Sequence, residues 1–87
     1  MKIAVWDTYV KKEDNEVMHF DILIPSTITN EQTVYNFGEE YLKTKPFKTE
    51  QLTSNECQFC HIEQATEDMM LSINKLGYYI IEIKNCH

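Results

Sequence analysis

The stretch Met18-His19-Phe20-Asp21-Ile22-Leu23-Ile24 has an apolar residue at every even position. Successive side chains of a strand point to opposite faces of a sheet, so this pattern predicts a β-strand with one apolar face. Residues 3–10 are also rich in β-branched and aromatic side chains, and only the polar run 11–16 separates them from this strand. The two segments therefore predict an antiparallel β-hairpin at the start of the chain.

The register of the hairpin follows from placing Ile3 on the apolar face that contains Phe20. In an antiparallel hairpin, the numbers of two paired residues always add up to the same sum. Ile3 shares a face with Phe20 only if this sum is odd, as it is when Lys11 pairs with Glu16. The same register places Asp7 on the apolar face, which is an unusual position for a carboxylate.

His19 and Asp21 are separated by one residue, so they project from the same face of the predicted strand. In the predicted register Thr8 lies opposite His19, and Trp6 lies opposite Asp21. A carboxylate can orient an imidazole for acid–base chemistry, which makes His19, Asp21 and Thr8 candidate catalytic residues. A His–Asp pair of this kind more often belongs to a polar network without a catalytic role.

Two helices are predicted from capping signals and apolar stripes. The run Thr29-Asn30-Glu31-Gln32 matches the capping box, and Pro46 ends the helix near residues 43–45. The second helix begins after Thr66 and ends at Gly77, where a left-handed C-cap is expected. The apolar stripes of the two helices are Val34, Phe37, Tyr41 and Leu42 in the first, and Met69, Met70, Ile73 and Leu76 in the second.

A third strand leads through Leu52 into the cysteine-containing segment, and a fourth covers residues 78–84. The predicted order is ββαβαβ in a single domain spanning residues 1–87. This order indicates an α/β (α+β) fold, a two-layer sandwich in which two helices cover one face of a four-stranded mixed sheet. Consecutive strands are usually neighbours, so the last strand is expected beside the cysteine-containing strand.

Composition excludes several classes of function. The chain has 87 residues and a formal charge of −6, and its eight basic residues are scattered lysines. An acidic chain repels nucleic acid and anionic lipid, so neither is an expected partner. No run of apolar residues approaches the roughly 20 needed to span a bilayer, and the N-terminus lacks the apolar core of a signal peptide. We expect a cytoplasmic protein whose three cysteines stay reduced.

The stretch Glu56-Cys57-Gln58-Phe59-Cys60-His61 concentrates the residues that suggest chemistry. Zn²⁺ prefers four tetrahedral N or S ligands, and a Cys-x-x-Cys turn supplies two of them. If this segment is instead a regular strand, the two thiols point to opposite faces and cannot share an ion. The candidate metal ligands are Cys57, Cys60, Cys86, His61 and His87.

Three other interpretations of this stretch remain. The Cys-x-x-Cys-His pattern also matches covalent c-type haem attachment, which the missing signal peptide disfavours. A catalytic dithiol lowers its pKa at a helix N-terminus, but the second helix begins about six residues after Cys60. Buried thiols that behave as small apolar side chains are the commonest case.

Several motifs together resemble a small bacterial family that is catalogued as domain of unknown function 2024. These motifs cover the whole chain, and the resemblance implies a single α/β domain without implying an activity, a cofactor or a catalytic residue. Relatives have glycine in the hairpin loop and before the last cysteine, where this chain has Asn15 and Asn85. The motifs are Asp7-Thr8-Tyr9-Val10, Met18-His19-Phe20-Asp21, the Glu56 to His61 stretch, Gly77-Tyr78, and a cysteine one residue from the end.

Taken together, these patterns favour a small binding or interaction module over an enzyme. The partner is expected to be a protein or a small molecule. The alternative is a thiol- or zinc-dependent activity centred on Cys57-Gln58-Phe59-Cys60-His61. No cofactor is expected apart from zinc in that alternative.

Overall fold

The computed structural model describes residues 1–87, in which a hairpin forms the centre of a four-stranded sheet. The predicted ββαβαβ order, the α+β class and the N-terminal antiparallel hairpin are confirmed. Neither helix has the length and apolarity needed to cross a bilayer. The elements are β1 (Lys2–Lys11), β2 (Val17–Pro25), α1 (Glu31–Leu42), β3 (Cys57–Gln64), α2 (Glu67–Leu76) and β4 (Tyr79–Lys84).

The strand order is β3-β1-β2-β4, and every neighbouring pair is antiparallel. The prediction of a mixed sheet is therefore wrong, and so is the prediction that β4 lies beside β3. The physical reason is that the hairpin occupies the centre of the sheet and leaves two free edges. β3 pairs with the free edge of β1, and β4 pairs with the free edge of β2.

The register of the hairpin differs by one residue from the predicted one. Tyr9 pairs with His19, Thr8 pairs with Phe20, and Asp7 pairs with Asp21. Because a shift of one residue exchanges the two faces of a strand, every odd position of β1 lies on the opposite face from the predicted one.

The two helices pack on opposite faces of the sheet. On the face covered by α1, the even positions of both hairpin strands pack with α1 side chains such as Val34 and Tyr41. On the other face, Ile3, Val5 and Leu23 pack with Ile73 of α2. The two-layer arrangement with both helices on one face is therefore wrong. The structure has three layers, because apolar residues on both faces of the hairpin need to be covered.

The helix ends confirm the predicted cap at Thr66 and place the cap of α1 one residue later than predicted. Thr66 is the N-cap of α2 and accepts a hydrogen bond from the backbone N–H of Met69, and Gly77 is its left-handed C-cap. The N-cap of α1 is Asn30, whose side chain accepts a hydrogen bond from the backbone N–H of Gln32. The predicted capping box at Thr29 is one residue too early, because asparagine is a better capping residue than threonine.

Two asparagines replace the glycines expected from the resemblance. Asn15 has a φ of 70° and Asn85 a φ of 57°, so both adopt the left-handed conformation that glycine tolerates best. Asparagine tolerates this conformation better than most other residues. The same turns can therefore form in this chain without glycine.

Candidate functional site

Four side chains occupy the part of the α2-facing surface that α2 does not cover. They are Asp7 and Tyr9 of β1 and His19 and Asp21 of β2, which are cross-strand partners and therefore share one face. The side chains that pack with α2 lie further along the same face, at the other end of the two strands. We call the set Asp7, Tyr9, His19 and Asp21 the polar patch.

The imidazole of His19 lies beside both carboxylates of the polar patch. Its Nε2 atom is 4.0 Å from Oδ1 of Asp7 and 3.9 Å from Oδ1 of Asp21. The ring stacks on Tyr9, with 4.0 Å between the ring centroids and an interplanar angle of 13°. This stacking and the burial of the strand restrict the orientation of the imidazole.

Two buried polar atoms of the patch have no hydrogen-bond partner. They are Nε2 of His19 and Oδ1 of Asp21. Their separation exceeds the 2.7–3.2 Å of a hydrogen bond, so they do not satisfy each other. Buried polar groups are nearly always paired, so two open atoms in one place call for a partner such as a water molecule, a proton shared between the carboxylates or a bound ion.

The two carboxylates make the patch receptive to a cation or a proton. Desolvation of Asp21, followed by the hydrogen bond and the charge of Asp7 and by the charge of Glu63, raises the pKa of Asp21 to about 7. Two carboxylates at one site oppose each other's ionisation, which favours the neutral form of one of them. Near neutral pH the patch therefore holds either a bound proton or an uncompensated negative charge.

Cys60 lies at the border of the patch, in a β-bulge of β3. Trp6 pairs with Phe59 and Val5 pairs with His61, so Cys60 is the extra residue of the bulge. Cys60 lines one cleft together with Asp7. Partial desolvation, followed by the charges of Asp7 and Asp21, raises the pKa of the Cys60 thiol.

The structure separates the three cysteines. Cys57 is buried on the α1 side, where its Sγ lies 3.4 Å from the Thr8 hydroxyl. The buried Cys86 thiol contacts the backbone carbonyl of His19 on β2. Strand β1 lies between β3 and β2, so Cys57 lies on a strand two spacings, roughly 10 Å, from the strand that Cys86 contacts, and the cysteines form no group of convergent ligand atoms. The prediction that all three thiols converge is therefore wrong.

The two remaining candidate ligands also lie apart from one another. His61 contacts its neighbours on β3, with Nδ1 3.2 Å from Sγ of Cys60 and Nε2 3.7 Å from Glu63. His87 is exposed and lies 3.7 Å from Glu82 of β4. The structure does not bring Cys57, Cys60, Cys86, His61 and His87 together, because β3 and β4 are opposite edges of the sheet.

The candidate catalytic residues are only partly brought together. His19 and Asp21 share a face as expected, but Thr8 lies on the opposite face and its hydroxyl donates to Cys57. Asp7 and Tyr9 were not predicted as site residues. In the structure Tyr9 lies opposite His19, where Thr8 was predicted, and Asp7 lies opposite Asp21, where Trp6 was predicted. The available signal was the carboxylate of Asp7 on a face predicted to be apolar, because a shift of one residue removes that anomaly.

Only one group of three or more histidine, cysteine, aspartate or glutamate side chains is arranged so that it could hold a metal ion. It consists of Asp7, His19 and Asp21, whose ligand atoms all lie within 4.8 Å of one another. Imidazole and carboxylate are ligands for first-row transition metals such as Zn²⁺. The arrangement could also move a proton, because Asp21 titrates near neutral pH.

Comparison with known proteins supports the fold and identifies the family. The NMR structure of protein NE1680 from Nitrosomonas europaea is 33% identical to this chain, covers 100% of both chains and has a TM-score of 0.80. No curated protein sequence matches the chain. The family described as domain of unknown function DUF2024 matches residues 1–83. The chain therefore belongs to the DUF2024 family.

Proposed function

We propose that this protein is a small binding module that holds a divalent transition-metal cation on the polar patch. The observation that carries the proposal is the convergence of Asp7, His19 and Asp21, in which Nε2 of His19 and Oδ1 of Asp21 are buried and have no partner. A cation placed between these atoms provides the missing partner for both of them.

The distances suit an ion after a small adjustment. Ligands about 2.1 Å from a tetrahedral ion lie about 3.4 Å from each other. The two N···O distances to His19 are 3.9 Å and 4.0 Å, so each must shorten by roughly 0.5 Å, and the oxygens of Asp7 and Asp21, which lie within 4.8 Å of each other, must also approach to about 3.4 Å. Small rotations of the two aspartate side chains provide this change while the stacked His19 ring stays in place.

The charges favour the same ligand. Asp7 and Asp21 are directly opposite each other across the hairpin, where two like charges repel. A divalent cation neutralises both carboxylates and stabilises their ionised forms. It competes with the proton on Asp21, so we expect the affinity for metal to increase as the pH rises through about 7.

A thiol-based activity has less support from the geometry. The thiolate is the reactive form of cysteine. Desolvation is the main cause that raises the pKa of Cys57 and also that of Cys60, so both thiols remain protonated near neutral pH. Cys86 is buried, and no second sulfur lies beside it to form a disulfide.

Isothermal titration calorimetry with Zn²⁺ on chelator-treated protein tests the proposal. We expect one ion per chain, and we expect His19→Ala to weaken binding by at least about 100-fold, the upper end of what outer-shell changes cost. His87→Ala is the matched control, because its side chain is exposed and lies outside the polar patch. Equal affinity of the His19→Ala variant and the wild type would refute the proposal.

A further inference from the structure

We infer that Cys60 is a fourth protein ligand of the metal site, which makes the site selective for zinc-like ions over magnesium, calcium and manganese. This inference rests on the proposed function and specifies the chemistry of the same site. In the Cys57-Gln58-Phe59-Cys60-His61 stretch, only the second cysteine is then a metal ligand.

The position of Cys60 along β3 is the first observation that supports the inference. Side chains alternate along a strand, so Cys60, three residues after Cys57, points to the opposite face from Cys57. Cys57 is buried beside Thr8 on the α1 side, so Cys60 lies on the side of the polar patch. The β-bulge follows at this point, because the register passes from Phe59 opposite Trp6 to His61 opposite Val5.

The surroundings of Cys60 are the second observation. Cys60 and Asp7 line one cleft, and the polar patch begins at Asp7. Cys60 is exposed and free, whereas Cys57 is packed in the core and Cys86 is buried. The Cys60 sulfur is not one of the ligand atoms that already converge, but Cys60 is the one cysteine whose side chain can rotate towards an ion at Asp7 without disrupting packing.

The contact with His61 is the third observation. Nδ1 of His61 lies 3.2 Å from Sγ of Cys60, within hydrogen-bond distance of the sulfur. Metal ligands are commonly oriented by a second residue in this way. His61 is thus a positioning residue for Cys60 in this arrangement.

Four ligands of this kind define the class of ion. One thiolate, one imidazole and two carboxylates complete the tetrahedral coordination that Zn²⁺ prefers. When the ion binds, a metal–sulfur bond replaces the S–H bond of Cys60, and the proton is released to solvent. Thiolate is a soft ligand that favours zinc and related ions, whereas a site made only of oxygen ligands suits magnesium, calcium or manganese.

Titration with Co²⁺, a spectroscopic substitute for Zn²⁺, tests the inference. We expect the wild type to show an intense near-ultraviolet charge-transfer band from thiolate to cobalt, together with the visible bands of bound Co²⁺. Cys60→Ser should remove the charge-transfer band and weaken Zn²⁺ binding at least about tenfold, while visible bands persist. Cys86→Ser is the matched control and should leave the charge-transfer band unchanged.

The outcomes distinguish this inference from the proposed function. If Co²⁺ binds in a manner that depends on His19 but shows no charge-transfer band, Cys60 is not a ligand and the three-residue site stands. If the wild type binds neither Co²⁺ nor Zn²⁺, both the inference and the proposed function are refuted. If the band survives in Cys60→Ser and disappears in Cys86→Ser, the assignment of the sulfur ligand is wrong.

Discussion

Replacing Asp21 with asparagine should change how the stability of the metal-free protein depends on pH. Asp21 has an ordinary pKa of 3.8 in the unfolded chain and a pKa of about 7 in the folded protein. Between these values the folded state holds a proton that the unfolded state has released. The free energy of unfolding therefore decreases as the pH rises from about 4 to about 7, and then becomes constant.

The size of this effect can be bounded from the shift in pKa. A shift of roughly three units corresponds to at most about 4 kcal/mol, since each unit is worth about 1.36 kcal/mol. The Asp21 side chain keeps 16% of its exposure and shares its proton with the adjacent Asp7, so solvent and coupling reduce the effect. We expect a decrease of about 1–3 kcal/mol between pH 5 and pH 8.

Urea unfolding at several pH values in the presence of a chelator measures this decrease. The asparagine side chain is neutral in both the folded and the unfolded state, so the Asp21→Asn variant should have a flatter profile. Its advantage over the wild type should be largest at pH 8 and small near pH 4. Parallel profiles for the two proteins would show that Asp21 does not hold a proton in the folded state, and the electrostatic account of the patch would be wrong.

Two further predictions concern the scaffold. Phe20→Ala should destabilise the protein by about 3–5 kcal/mol in denaturant melts, because Phe20 is fully buried and its ring packs 4.8 Å from that of Tyr41; a loss below about 1 kcal/mol would contradict this packing. Thr66→Ala should cost about 1 kcal/mol through loss of the α2 N-cap, whereas Thr29→Ala should cost little because Asn30 caps α1. Equal losses in the two threonine variants would contradict the assignment of the caps.

Features that depend on short stretches of sequence were predictable. The order of elements, the cap at Thr66 and the left-handed Gly77 follow from signals within a few residues. Even the cap of α1 was missed by only one position, because Thr29 and Asn30 are both good capping residues. An error of one residue at a helix end has little effect on the predicted fold, because the apolar stripe of each helix determines which face packs on the sheet.

Features that depend on distant parts of the chain were not predictable. Residues 3–6 are apolar at both odd and even positions, so they do not reveal which face of β1 pairs with the apolar face of β2. The presence of a helix on each face explains this pattern, and that arrangement is a property of the whole fold. The separation of the cysteines likewise depends on strand order, which local sequence does not determine.

Asp7 links the hairpin register to the proposed function. In the predicted register its carboxylate would lie in an apolar core without a partner, which costs several kcal/mol. The observed register moves it to the open face, but there it lies directly opposite Asp21, where two like charges oppose each other. The observed register therefore replaces the burial of the Asp7 carboxylate with its repulsion by Asp21, so Asp7 remains in an unfavourable environment. The cation that we propose between Asp7, His19 and Asp21 would resolve this repulsion, because the ion would stabilise both carboxylates and would also pair with the buried Nε2 of His19.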